Sequence, residues 1–144
     1  MSAGLLSASL LLAATPTWAD DRELVELPVP MAAHMMANMR DHLRALEDML
    51  AALALGDVAA AGTVAETRLG MSSLDSHGAA HMAPMMPAPM QAIGTAMHRA
   101  ASRFVTVAQD ADVAASYAAQ QEVFAALRDI TTQCNACHAA YRIR

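Results

Sequence analysis

Apolar positions recur at three- and four-residue spacing along most of this chain, and the spacing predicts helices. Over residues 31–55, Met36, Met39, Leu43, Leu46, Leu50 and Leu53 make such a stripe, while Arg40, Arg44, Glu47 and Asp48 fall mostly off it. Pro28 and Pro30 bar an earlier start, and Gly56-Asp57 ends this helix and caps the next. A shorter second helix is expected over 57–69, with Val58, Val64 and Leu69 as its apolar contacts. Gly70, Ser72, Ser73, Gly78, Pro84, Pro87 and Pro89 then break the pattern and predict a long connection over 70–89. A third helix follows over 88–109 with Met90, Ile93, Met97, Ala101, Phe104 and Val107 inward. Asp110 or Asp112 starts a fourth, whose stripe is Val113, Tyr117, Phe124, Leu127, Ile130, Cys134 and Cys137. No run of alternating β-branched residues suggests a strand. The expected fold is all-α, an antiparallel four-helix bundle able to hold a cofactor between facing helices.

The amino-terminal segment stands apart from this pattern. Leu5, Leu6, Leu10, Leu11, Leu12 and Ala13 form an apolar run too short to span a bilayer, and Thr17-Trp18-Ala19 resembles a small-residue cleavage site. Residues 1–19 are therefore expected to be a signal peptide and 20–144 the exported domain, although no Lys or Arg precedes the apolar run. Every later apolar stretch is interrupted by Arg or Asp, so no membrane span is expected. All nine basic residues are Arg, and the net charge of −5 argues against a nucleic-acid partner. An acidic surface suits a basic redox partner and suits solubility equally. Only Phe104, Phe124, Tyr117 and Tyr141 supply rings once Trp18 is removed. That leaves core volume for a large planar group.

Cys134-Asn135-Ala136-Cys137-His138 supplies the candidate chemistry. C-x-x-C-H is the attachment signature of c-type haem. Residues three apart share a helix face, so two thiols reach the two vinyl groups on one porphyrin edge, and the adjacent imidazole comes under the iron. A zinc half-site is the first alternative, but zinc needs four ligands and the chain holds no second cysteine pair. A redox dithiol belongs near a βαβ pattern, which is absent here, and a small-loop disulfide is the third alternative. With the export signal, haem attachment in a periplasm is the favoured reading.

The tail Cys134-Asn135-Ala136-Cys137-His138-Ala139-Ala140-Tyr141-Arg142 resembles the C-x-x-C-H-x-x-aromatic-basic ending of the cytochrome c′ family, the class II c-type cytochromes. In layout the resemblance covers all of 20–144; residue by residue it covers the tail alone. It implies one covalent haem, with thioethers at Cys134 and Cys137, His138 as proximal ligand and Arg142 beside the proximal face. A solvated Arg142 is the plainer alternative. In that family the first helix covers the opposite face, and taking His42-Leu43 as the reference pair places Met36 at the distal position, then Met39, Met35 or His34. Relatives with a non-ligating residue there keep a five-coordinate iron that binds nitric oxide or carbon monoxide. Those with Met are six-coordinate, low-spin electron carriers, and this chain resembles the latter. Met36 as a flexible core filler is the competing reading. By the same analogy a homodimer would form through the first two helices.

Twelve Met is a further departure from ordinary composition. His34, Met35, Met36 and Met39 cluster on the first helix; His77, His81, Met82, Met85, Met86, Met90, Met97 and His98 cluster over 70–98. Thioether plus imidazole suits Cu(I), so copper is a second candidate cofactor. A Met-rich lid over a haem edge, or an adaptable docking surface, explains the same residues. Asp41, Glu47 and Asp48 read as a solvated helix face, and His98 as surface or loop packing. No nucleophile elbow, phosphate loop or paired core carboxylates are present, so the expected role is electron transfer rather than catalysis.

Overall fold

In the computed structural model, which describes residues 20–144, Pro28 caps a long first helix, α1, Val29–Ala54. Pro30 lies in its first turn, where a missing backbone N–H costs nothing. Gly56, at φ 78°, takes the left-handed turn that ends it. Asp57 then accepts a 2.8 Å hydrogen bond from the Ala60 N–H and starts α2, Val58–Val64, which runs into a π-helical turn, Ala65–Leu69. The residues 70–87 are a connection, as expected, but one threaded with short helical turns: Met71–Ser73, α3 at Ala79–Met82, and Ala83–Met85. Two long helices complete the order, α4 at Ala88–Ala114 and α5 at Tyr117–Ala140. The expected signal peptide lies outside the described residues.

The molecule is mostly helical. α4 packs most extensively on α5, α2 bridges α1 and α4, and α1 and α5 are not among the closely packed pairs. The main core fills the space between α1, α2, α4 and α5 with Ala45, Met49, Val58, Leu69, Met97, Phe104, Val123 and Ile130. No helix among the described residues is long and apolar enough to cross a membrane.

Three expectations need correction. The third helix does not stop near 109. Asp110 and Asp112 sit exposed within α4, because an Asp in place of Ala costs a helix only about half a kcal/mol. The break comes at Ala115, at φ 45°, and Ser116 caps α5 by accepting from the Ala119 N–H at 3.2 Å. The fourth stripe is consequently displaced. Val113, Tyr117 and Phe124 are exposed, while Val123, Leu127 and Ile130 are buried. The first stripe is displaced by one residue as well: α1 buries Met35, Asn38, His42, Ala45 and Met49, and leaves Met36, Leu43 and Leu50 substantially exposed. Both helices carry an apolar sector wider than the face their neighbours cover, so spacing alone did not say which edge turns inward.

The third correction is a strand pair. β1, Glu23–Val25, runs parallel to β2, Tyr141–Ile143, with Leu24 opposite Arg142. Hydrogen bonds from Leu27 N to Arg144 O at 3.2 Å and from Arg144 N to Val25 O at 3.3 Å extend the ladder. Three-residue strands are too short for alternation to reveal them. Their consequence is positional, because the ribbon holds the segment before α1 against the end of α5.

Candidate haem-attachment site and a buried histidine cluster

Cys134 and Cys137 lie one turn apart near the end of α5, both half-buried and both free thiols. Burial pushes both thiols above their ordinary range. Cys134 packs against the main core. Cys137 instead meets a second, methionine-rich cluster: Met35, Met82 and Met90 are buried in it with Val25 and Leu27, and Met31, Met39 and Met86 pack at its margin. Tyr141 and Ile143 of β2 also pack against it. Thioether side chains are unbranched and polarisable, so this wall can repack around an inserted group more easily than one of branched residues.

His138 is exposed in the last turn of α5, and its backbone carbonyl accepts from Arg22 Nη1 at 3.3 Å. Arg142 Nε is buried and makes no hydrogen bond among the described residues. Its closest acidic neighbour, Asp20 Oδ2, stands at 3.6 Å, an ionic approach beyond hydrogen-bonding length. Asp20 is itself held by Arg22, which lowers its carboxyl to about 2. Met36 does not join the Cys137 cluster. It is 43 % exposed on the flank of α1 that also carries Leu43, 69 % exposed, whereas Met35 is buried in that cluster and Met39 packs against it.

The residues expected for copper separate into different surroundings. Met82 and Met90 are buried in the cluster that Cys137 packs against and Met86 lies at its margin, His81 and Met85 are exposed, and His77 is buried elsewhere. There His77 meets His42 of α1 and His98 of α4, with ring centroids 4.8 Å (His42–His77), 5.4 Å (His77–His98) and 6.1 Å (His42–His98) apart. All three are buried, so the surface reading of His98 is corrected. His98 Nδ1 stands 2.7 Å from Leu69 O, and a carbonyl only accepts, so Nδ1 carries the proton. The His77 carbonyl is clamped to α1 by His34 Nε2 at 2.9 Å and Asn38 Nδ2 at 3.0 Å. His42 Nε2 is buried with no hydrogen-bond partner. Burial first, then the charges of His77 and His98, push His42 down to about 4; burial lowers His77 too. Both are neutral imidazoles at pH 7.

Arg68 reaches Asp41 Oδ1 at 2.6 Å and Asp48 Oδ2 at 2.5 Å, tying the π-turn to α1. The two carboxylates keep the solvated face expected of them, at 42 % and 56 % exposed, and in addition hold Arg68. Sequence reasoning missed the histidine cluster because its members are 35 and 21 positions apart on three different elements. Surface depressions of about 370 Å³ between α2 and α4, and about 410 Å³ between α4 and α5, do not touch the C-x-x-C-H segment. Comparison with family models, with curated proteins and with solved structures found no match.

Proposed function

We propose that this chain is a periplasmic monohaem c-type cytochrome of the class II kind, a four-helix bundle that transfers single electrons. The observation that carries the reading is C-x-x-C-H on the last turns of α5, with both thiols on one half-buried face and Cys137 walled by methionines. The residues fit the group. Two free thiols one turn apart match two vinyl positions, the exposed His138 imidazole is available as proximal ligand, and the wall is apolar and deformable. The buried Arg142 Nε, which makes no hydrogen bond and only an ionic approach to Asp20, offers a donor for a propionate carboxylate. When bound, haem supplies a one-electron Fe(III)/Fe(II) couple whose potential follows its axial ligands, burial and second-shell hydrogen bonds.

The chain's own part is to hold, shield and tune. Cys134 and Cys137 anchor the group. The methionine cluster excludes water from one side, and the β1–β2 ribbon fixes the end of α5. Met36 is the proposed sixth ligand. It heads an exposed apolar flank of α1, Met36, Leu43 and Leu50, that offers surface for a tetrapyrrole to cover. A thioether there would stabilise ferrous iron and raise the potential.

A second reading is a five-coordinate binder of nitric oxide or carbon monoxide, favoured by the same exposure of Met36. Optical spectra of the exported protein in both oxidation states decide between them. A low-spin spectrum with a thioether-to-iron charge-transfer band, converted to high spin by Met36→Ala, is the expected result. Native high-spin iron gives the gas-binding reading instead. A low-spin spectrum unmoved by Met36→Ala but lost in Met35→Ala or Met39→Ala transfers the sixth ligand to that residue.

A further inference from the structure

We infer that His42, His77 and His98 form a metal site separate from the haem-attachment segment, one that takes a borderline divalent first-row ion such as Zn(II) through three imidazole nitrogens. The first support is proximity: the three rings lie within 6.1 Å of one another, although their nitrogens do not meet at one point as the rings stand. An imidazole nitrogen bonds zinc at about 2.0–2.1 Å, which puts each ring centroid about 3.2 Å from the ion and neighbouring centroids about 5 Å apart at tetrahedral angles. The observed separations of 4.8, 5.4 and 6.1 Å bracket that spacing.

The second support is the state of the nitrogens. His98 donates Nδ1–H to Leu69 O, so the lone pair is on Nε2. Ser73 Oγ donates its single proton to Gly70 O at 2.7 Å, so toward His77 Nδ1, 3.4 Å away, it can only accept. An Nδ1 proton on His77 fits that acceptor and leaves the lone pair on Nε2. Metal-binding histidines show this arrangement, with the outer nitrogen bonded to a carbonyl or hydroxyl that orients the ring.

The third support is the orphan. His42 Nε2 is enclosed, on a side chain more than nine-tenths buried, without any protein partner. A buried polar atom left unpaired costs roughly 1–3 kcal/mol, and a bound ion would remove that cost.

As the rings stand, no set of three His, Cys, Asp or Glu side chains among the described residues is already disposed to hold an ion. Closure asks for rotation of the rings, chiefly drawing His42 and His98 together from 6.1 Å. The backbone of His77 is fixed from α1. His34 and Asn38 hold the His77 carbonyl, and Gly78, at φ 63°, lies where a Cβ would come 3.1 Å from His34 Nε2. Neutral imidazoles alone suit Zn(II), Cu(II) or Ni(II), unlike the thioether set suited to Cu(I). With three protein ligands the ion would keep a fourth position for water or an anion.

Equilibrium dialysis of the full exported chain against Zn(II), with metal analysis and thermal melts, tests the assignment. The expected result is one Zn(II) per chain, a Tm that rises with Zn(II) concentration, and binding at least tenfold weaker in His42→Gln, His77→Gln and His98→Gln. His81→Gln, altering an exposed imidazole, should bind as the parent does. If a cluster variant fails to fold, the parent protein decides. Zn(II) should then shift the ring-nitrogen NMR resonances of His42, His77 and His98 and leave those of the exposed His81 unchanged. No stoichiometric binding, binding indifferent to all three substitutions, or equal loss in His81→Gln would overturn the site. An absorption spectrum of the same sample reports haem separately, so a haem-free chain that binds Zn(II) through these histidines rejects the cytochrome and keeps this inference.

Discussion

At the scale of single residues, much rests on one position of rotation in α1. The apolar spacing is compatible with Met36 or Met35 facing inward, and the structure turns Met35 in with Asn38, His42, Ala45 and Met49. A polar pair on the buried face, Asn38 and His42, hid that edge from a reading based on hydrophobicity. Each is retained because it serves a partner: Asn38 holds the His77 carbonyl, and His42 joins the imidazoles. Their burial has a pH consequence. His42 is lowered from 6.5 to about 4 and His77 is lowered too, mainly by desolvation, with Asp41 opposing and the other imidazoles and Arg68 reinforcing at one or both. The folded state thus releases protons that the unfolded state still binds, so stability falls as pH drops below about 6.5, the ordinary histidine value, toward about 4. Denaturant melts of the metal-free protein should show a lower midpoint at pH 5 than at pH 7.5. Equal midpoints would mean that these rings are not buried neutral.

At the scale of elements, existence and approximate position of the helices were legible, and their ends were legible only where a side chain makes the cap. Asp57 starts α2 as its sequence context indicates. The α4–α5 junction was missed because two aspartates looked like caps while Ala115 carries no signal for the left-handed region it adopts. Ala in that region costs about 1–2 kcal/mol that Gly does not. Ala115→Gly should accordingly raise stability by about 0.5–1 kcal/mol, read from urea midpoints at constant m-value; a loss would show that the turn is not strained. Ser116→Ala should cost about 1 kcal/mol by removing the 3.2 Å cap to Ala119 N. The same melts check this, and a neutral outcome would put the start of α5 elsewhere.

At the scale of the whole molecule, a helical protein with its C-x-x-C-H segment on the last long helix was readable from spacing and motif. What closes the site was not. The β1–β2 ribbon pairs residues more than a hundred positions apart, and the methionine cluster draws side chains from α1, α3 and α4 onto Cys137. Such contacts leave no periodic trace. The main core packs Ala, Met, Val, Leu and Ile around one ring, Phe104, which is fully enclosed. Phe104→Ala should therefore cost about 3–5 kcal/mol, since Ala, Val and Met neighbours cannot fill a cavity of that size. A smaller loss in chemical melts would mean that the core collapses onto the gap. The central claim is the covalent prosthetic group on Cys134 and Cys137. Intact-mass spectrometry of the exported polypeptide after thiol alkylation measures it directly. A chain heavier by one haem with neither cysteine alkylated is the predicted result; two alkylated cysteines and no added tetrapyrrole mass would contradict it.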